Sequence, residues 1–320
     1  MNRGVLQGMN SEPFIPPYMG GGRSDNDGGV LVHDSSKEGY ARIGLNVPWW
    51  GDGSGGVVTL TNNLTLNQES AYDTLTINSG VTVTVAGYRL FVKNTLTVFG
   101  TISGNGNAAS GSTGGTSAGG GTQTGVALAG ANGQTASGSS SNSPITDAPY
   151  LPGAGGNGGN GTGSNFGGTA SGATAATTIN VYQHGPLGIF TMSSGLRSST
   201  TVVTGGLTCG AGGAGGGGDG TNKGGGGGSG GVNILISARI VVVSSSGVIS
   251  SNGGNGANGV AGNSGGGGGG GGGVVLINTT SYTNLGTVQA LAGTHGNGVG
   301  TGTNGVDGSA GSVNVNVWAL

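Results

Sequence analysis

Residues 251–273 read SNGGNGANGVAGNSGGGGGGGGG, and glycine occupies every third position from Gly253 to Gly271. Three residues per turn is the repeat of the polyproline II helix. Glycine on one face of each turn lets neighbouring backbones approach closely and pair through their own N–H and C=O groups. The stretch therefore predicts packed, glycine-rich helices of the polyproline II type.

The rest of the chain has the same compositional bias, since 82 of its 320 residues are glycine and only 5% are aromatic. Side chains cannot fill a conventional core over most of such a chain. Glycine without a period is typical of flexible linkers, but the triplet register argues against a linker here. Collagen is excluded because it needs proline-rich positions between its glycines, and the last proline is Pro186. We expect a bundle in which backbone contacts replace the side-chain core.

Residues 51–103 form a different block, with alternating and β-branched runs separated by turn residues such as Asn78-Ser79-Gly80 and Ala86-Gly87. This pattern predicts successive short strands of a solenoid or a sandwich. The predicted fold class is therefore all-β, with a short-strand block followed by a polyglycine-II bundle over residues 104–320. The inward-facing residues expected to form the core of the block are Leu75, Ile77, Val81, Val83, Val85, Leu90, Val92, Leu96, Val98 and Ile102.

The end of the strand block recurs downstream. The stretch GTISGNG from Gly100 corresponds to GVISSNG from Gly247, and more loosely to GTVQALAG from Gly286. The last two copies lie 39 residues apart. An apolar strand pair precedes each copy and a glycine-rich excursion follows it, which predicts a repeated supersecondary unit.

Residues 1–50 are irregular in pattern, with several prolines, and we interpret them as an N-terminal anchor segment. Its apolar residues are expected to dock on a partner protein, and a strap folded across the chain's own domain is the alternative. The anchor residues are Phe14, Ile15, Tyr18, Trp49 and Trp50.

Two inserts interrupt the glycine register, at residues 141–152 and 179–203. Large aromatic side chains and arginine are common energetic anchors of interfaces, so these inserts are the predicted binding surface. The alternative is that the same side chains form small local cores under the loops. The predicted receptor-binding residues are Ile145, Tyr150 and Leu151 in the first insert, and Tyr182, His184, Phe190 and Arg197 in the second.

Charge and apolar length exclude several function classes. The formal net charge is −2 and no basic run occurs, so we expect no nucleic-acid partner. The apolar runs are too short to span a bilayer, and residues 1–18 lack the apolar segment of a signal peptide, so we expect cytoplasmic synthesis without membrane insertion.

Catalytic and metal-binding residues are sparse. Cys209 is the single cysteine, and the three histidines are far apart in sequence, so no metal or cofactor is expected. Glu69 and Asp73 are the one candidate carboxylate pair, which raises a glycosidase hypothesis. A polysaccharide-cleaving groove usually carries more carboxylates and aromatics than this strand block offers, so we predict that the protein is not an enzyme.

The glycine runs GAGGAGGGGDG (210–220), KGGGGGSGG (223–231) and residues 251–273 alternate with short, unlike inserts. This pattern resembles the glycine-rich adhesins at the tips of long tail fibres in T4-like bacteriophages. The resemblance implies a polyglycine sandwich that displays loops toward a host outer-surface protein or glycan, and a location on the virion surface. It also implies attachment to other virion proteins, although residues 1–50 do not match that family's fibre-attachment domain.

The strand and glycine repeat also resembles glycine-rich domains of other virion surface proteins. A structural capsid, collar or tail decoration protein is therefore the alternative function. A tailspike-like depolymerase, which would need an elongated β-helix with a carboxylate groove, is the remote one. Self-association through the glycine-rich region or Trp318 stays open.

Overall fold

The computed structural model describes residues 50–118, 129–138, 152–163, 165–170 and 209–318, and the backbone of four strands at 30–34, 39–43, 197–198 and 201–202. These described residues form strands and no helix, which confirms the predicted all-β class. The chain divides into two compact units. In the first, strands β1 (Val30–Asp34) and β2 (Gly39–Ile43) form an antiparallel pair.

The second unit runs from Pro48 to Ala319 and contains all the other strands. In chain order they are β3 (Val57–Leu60), β4 (Leu64–Thr65), β5 (Ser70–Tyr72), β6 (Thr74–Ile77), β7 (Thr82–Thr84), β8 (Leu90–Val98), β9 (Thr101–Ser103), β10 (Arg197–Ser198), β11 (Thr201–Val202), β12 (Ile234–Val243), β13 (Val248–Ser250), β14 (Val274–Thr279), β15 (Ser281–Asn284), β16 (Thr287–Gln289) and β17 (Ser312–Val317).

Two sheets organise this unit, and every strand pair in them is parallel. The first sheet has the order β17-β14-β12-β8-β6-β3. In addition, β5 pairs with β8 and β15 pairs with β12. The second has the order β16-β13-β9-β7-β4, whereas β10 and β11 form a separate antiparallel pair. Since sandwiches are built from antiparallel sheets, the parallel pairing is that of a solenoid.

The chain passes alternately through the two sheets, as β6 to β7, β8 to β9, β12 to β13 and β15 to β16. Apolar side chains between the sheets form the core, and all ten predicted core residues are buried in it. The core continues past residue 103, because strands β12, β13 and β14 contribute residues such as Ile236, Ile249 and Ile277. The strand block and the later strands therefore share one hydrophobic core.

The predicted recurrence corresponds to neighbouring strands of the second sheet. Ile102 in β9 pairs with Ile249 in β13, and Ile249 pairs with Val288 in β16. The three copies therefore stack in register, one per coil, and the glycine-rich excursions leave the coils after these strands.

The excursions pack together into what we call the glycine array. It comprises the described residues 104–118, 129–138, 152–163, 165–170, 209–232, 251–273 and 290–311. Its segments pair through backbone hydrogen bonds at every third residue. Gly213 N–H donates to the Gly228 carbonyl at 2.8 Å, and three residues further on Gly216 donates to Gly225 at 2.8 Å.

A third segment completes this pattern. Gly228 N–H donates to the Gly268 carbonyl at 2.9 Å, and Gly268 N–H donates to Ala214 at 2.8 Å. An ideal Cβ built on Gly268 would lie 2.5 Å from the carbonyl carbon of Gly156, far inside van der Waals contact. The interior of the array is therefore filled by backbone atoms rather than side chains.

Candidate binding surface

Most residues predicted to bind a receptor or a partner lie outside the described part of the chain. These are Ile145, Tyr150, Leu151, Tyr182, His184 and Phe190 in the inserts, and Phe14, Ile15, Tyr18 and Trp49 in the anchor segment. Arg197 is described only as backbone in β10. Trp50 is described, and its side chain is buried with 9% of its surface exposed. The binding roles of these residues stay predictions.

The described residues that flank the two inserts show where each insert rejoins the array. After the first insert, Gly153 N–H donates to the Gly272 carbonyl at 2.7 Å. After the second, Gly210 N–H donates to Gly231 at 2.8 Å, and Ala211 N–H donates to Gly153 at 3.1 Å. Both inserts therefore rejoin the array side by side, next to the starts of β12 and β14. We call this end of the array the base.

The opposite end of the array consists of short turns, which we call the distal turns. They lie at residues 110–113, 134–137, 161–163, 219–222, 260–263 and 298–302. Five of them contain a glycine with positive φ, a conformation that glycine adopts more readily than other residues. These glycines are Gly111 (55°), Gly163 (71°), Gly220 (91°), Gly262 (63°) and Gly300 (60°).

Asp219 connects two distal turns through its carboxylate. One oxygen accepts the N–H groups of Thr221 and Asn222 at 3.0 and 2.7 Å. The other accepts the side-chain amide of Asn222 at 2.9 Å and the N–H of Asn263 at 3.0 Å. These donors, the Asn222 side chain first, hold the pKa of Asp219 well below its usual range. The carboxylate is therefore ionised at neutral pH and organises the turn.

Asn263 extends the connection to two more turns. Its side-chain oxygen accepts the N–H of Thr301 at 2.9 Å, and its backbone carbonyl accepts the hydroxyl of Thr162 at 3.2 Å. Four distal turns are thus linked by hydrogen bonds into one continuous surface. Such a surface is pre-organised, which lowers the entropy lost on binding.

The linked turns carry polar groups and the ionised carboxylate of Asp219, and exposed apolar side chains lie in or beside them. Val260 and Phe166, the latter just after the 161–163 turn, are 53% and 62% exposed. Lys223 is also exposed, beside the 219–222 turn. An exposed aromatic ring can bury a large apolar area on binding, so Phe166 is a candidate contact for a partner.

The candidate carboxylate pair is separated by strand β5. Glu69 and Asp73 flank this strand, one at each end. Glu69 forms an ion pair with Arg89 at 2.5 Å, and Asp73 accepts the side-chain amide of Asn94 at 3.0 Å. Each carboxylate is therefore bound to a different neighbour.

The histidines and the cysteine do not cluster in the described residues. His295 Nδ1 lies 2.5 Å from the Asp307 carboxylate, and the backbone N–H of His295 donates to the same oxygen at 2.7 Å. These hydrogen bonds lower the pKa of Asp307. Within the described ranges, no group of three or more metal-ligating side chains lies close enough to hold an ion.

Comparison with known proteins finds no matching family model, no similar curated protein and no similar solved structure. None of the described residues belongs to a helix that is long and apolar enough to cross a membrane.

Sequence reasoning missed the distal turns. Their left-handed glycines look the same in the sequence as the glycines that pack inside the array. The usable signal was the placement of asparagine and aspartate at the turns, as in Asp219, Asn222 and Asn263. These side chains commonly bond to nearby backbone groups in turns.

Proposed function

We propose that the glycine array is a bundle of helices of the polyglycine II type. Hydrogen bonds at every third residue, as at Gly213 and Gly216, match a helix with three residues per turn. Interior positions such as Gly268 have no room for a Cβ, which fits helices that pack backbone against backbone. A bundle of this kind is a rigid scaffold that joins the strands at its base and can carry a binding surface at its distal turns.

We propose further that the protein is a non-enzymatic bacteriophage virion protein, and that it acts as a tail-fibre adhesin. The observation that carries this proposal is the linked distal surface around Asp219 and Asn263, which projects at one end of the array. Its polar turn groups and the nearby exposed Phe166 suit a host outer-surface protein or glycan as the partner. The inserts at 141–152 and 179–203 provide a second set of contacts, and residues 1–50 attach the protein to other virion proteins.

A depolymerase is the alternative that the parallel coils favour, because tailspike enzymes of this class are elongated β-helices. The partners that Glu69 and Asp73 already have, Arg89 and Asn94, weigh against it. Release of oligosaccharides from a host envelope by the purified protein would establish the enzyme and overturn the non-enzymatic proposal.

Binding to bacterial cells tests the adhesin. The labelled full-length protein is incubated with a panel of Gram-negative bacteria, and Phe166→Ala, Tyr150→Ala and Phe190→Ala are compared with the parent. Loss of a central aromatic contact is expected to weaken binding by about thirtyfold, the equivalent of about 2 kcal/mol. Leu285→Ala is the control, since Leu285 is 70% exposed but lies between β15 and β16, away from the distal turns.

Binding that is unchanged in all three variants, or absent from every strain, would contradict the adhesin. The structural alternative, a capsid, collar or tail decoration protein, predicts this second result.

A further inference from the structure

A repeated pair of hydrogen bonds lies along one face of the glycine array. The Asn252 side-chain oxygen accepts the N–H of Leu291 at 2.8 Å, while the N–H of Gly253 donates to the carbonyl of the same Leu291 at 2.9 Å. The asparagine oxygen thus takes the place of a backbone carbonyl. We call this two-point contact of an Asn-Gly dipeptide with one residue the Asn-Gly clamp.

The clamp recurs at the same three-residue spacing as the array. Asn255-Gly256 holds Thr294 at 3.0 and 2.8 Å, and Asn258-Gly259 holds Asn297 at 2.8 and 2.8 Å. One layer further on, Asn105-Gly106 holds Asn252 at 2.8 and 2.8 Å. The clamps therefore connect three consecutive excursions. In each clamp the hydrogen bonds involve the same two groups, the side-chain amide of the asparagine and the backbone N–H of the glycine.

These two groups are the ones that react when asparagine deamidates. The backbone nitrogen of the following residue loses its proton to water or hydroxide and attacks the amide carbon of the asparagine side chain. A new C–N bond forms, the bond between that carbon and the amide nitrogen breaks, and ammonia leaves. Water then opens the resulting succinimide to aspartate or isoaspartate. Glycine favours the attack because it has no side chain and its backbone is conformationally free.

A clamped pair must break both hydrogen bonds before it can react. The nucleophilic nitrogen is donating its N–H to a carbonyl, and the amide oxygen is accepting a backbone N–H. Each bond contributes to a local opening equilibrium that slows the reaction.

Asn297-Gly298 differs from the clamped pairs. The Asn297 side chain is exposed and has no hydrogen-bond partner among the described residues. The Gly298 N–H donates only to the side-chain oxygen of Asn304 at 3.0 Å, and Asn304 is itself exposed. The pair lies at the start of the 298–302 turn and lacks the hydrogen bond to the asparagine side-chain oxygen that each clamped pair makes.

We propose that Asn297 is a site of spontaneous deamidation, while the clamped residues Asn105, Asn252, Asn255 and Asn258 are protected by the fold. The modification has a structural consequence, because the backbone of Asn297 is itself held by the Asn258-Gly259 clamp. Isoaspartate adds one extra carbon atom to the backbone at this position, which shifts the triplet register beyond it.

Peptide mapping by mass spectrometry tests the proposal on the full-length protein. The protein is incubated in mildly alkaline buffer, either folded or in concentrated urea, and deamidation is followed at each Asn-Gly pair. In the folded protein, Asn297 is expected to deamidate about two- to twelvefold faster than Asn255 and Asn258, because its pair has one hydrogen bond fewer to break. In urea the three pairs are expected to react at similar rates.

Two variants serve as controls. Asn304→Ala removes the acceptor of the Gly298 N–H, so it is expected to speed deamidation at Asn297 and leave Asn255 unchanged. Asn297→Gln is expected to abolish the fast phase. Folded protein in which Asn255 or Asn258 reacts as fast as Asn297, or in which Asn297 is as slow as they are, would overturn the proposal.

Discussion

Adding one methyl group inside the glycine array, as in Gly268→Ala, is the most direct test of backbone packing. An ideal Cβ at this position would lie 2.5 Å from the carbonyl carbon of Gly156 and 2.8 Å from the carbonyl oxygen of Asn157. The neighbouring segment would have to move outward to relieve the clash. Residue 268 also makes two hydrogen bonds, donating to Ala214 and accepting from Gly228, and that movement would strain both.

The size of the effect follows from these contacts. Overpacking of a close-packed interior costs about 1–3 kcal/mol, and each weakened hydrogen bond adds about 0.5–1.5 kcal/mol. Alanine restricts the unfolded chain more than glycine does, and this effect alone stabilises the folded protein by about 0.4–1 kcal/mol. We therefore expect Gly268→Ala to lower the free energy of unfolding by about 1–5.5 kcal/mol.

Gly80→Ala is the matched control, since Gly80 has a φ of 80° but a Cβ there would meet nothing within 4 Å. Backbone strain alone predicts a loss of about 1–2 kcal/mol. Chemical denaturation followed by circular dichroism measures both variants. If Gly268→Ala shifts the transition no more than Gly80→Ala does, the reasoning about backbone packing is wrong.

Two further predictions concern titratable groups. Cys209 is 3% exposed, and burial raises the pKa of its thiol to about 12. A thiol reagent at mildly alkaline pH should therefore label Cys209 far more slowly in the folded protein than in denaturant. Equal labelling rates would contradict its burial. The pKa of the Asp219 carboxyl is lower in the folded protein than in the unfolded chain. The ionised carboxylate therefore stabilises the fold fully above the unfolded-state pKa of about 3.9, and this stabilisation is lost as the pH falls through the folded-state pKa. The Asp219→Asn variant should therefore be less stable than the parent at neutral pH and should lose less stability on acidification. Thermal melts across the acidic range measure both effects. An equal loss of stability in both proteins would show that another group causes the acid sensitivity.

The strand core could be predicted from the sequence because alternation of apolar and polar residues determines which side chains face inward. All ten residues from Leu75 to Ile102 selected on this basis are buried. The recurrence of Gly-x-Ile/Val likewise identified strands that stack in register, as Ile102, Ile249 and Val288 do. The sequence pattern predicts the long-range contacts here because each coil places apolar residues at the same positions facing the core.

The arrangement of the array could not be read in the same way. A run such as residues 265–273 has no side chains, so nothing in the run itself specifies which segments become its neighbours. In the structure the register is set elsewhere, by the strands at the base and by the side chains of residues such as Asn252 and Asn255. The distal surface was missed for a related reason, because its character depends on which turns meet in space.

The hydrogen bonds at every third residue also restrict how the lengths of the excursions can change. Gly225, Gly228 and Gly231 donate to Gly265, Gly268 and Gly271, so inserting one residue into either segment would put all later donors out of phase with their acceptors. Preserving every bond would require three added residues in each packed segment that runs between the base and the distal turns, and this change would move the distal turns about 9 Å further from the sheets. The excursions can therefore change length without losing backbone hydrogen bonds only when neighbouring segments gain or lose the same number of three-residue units.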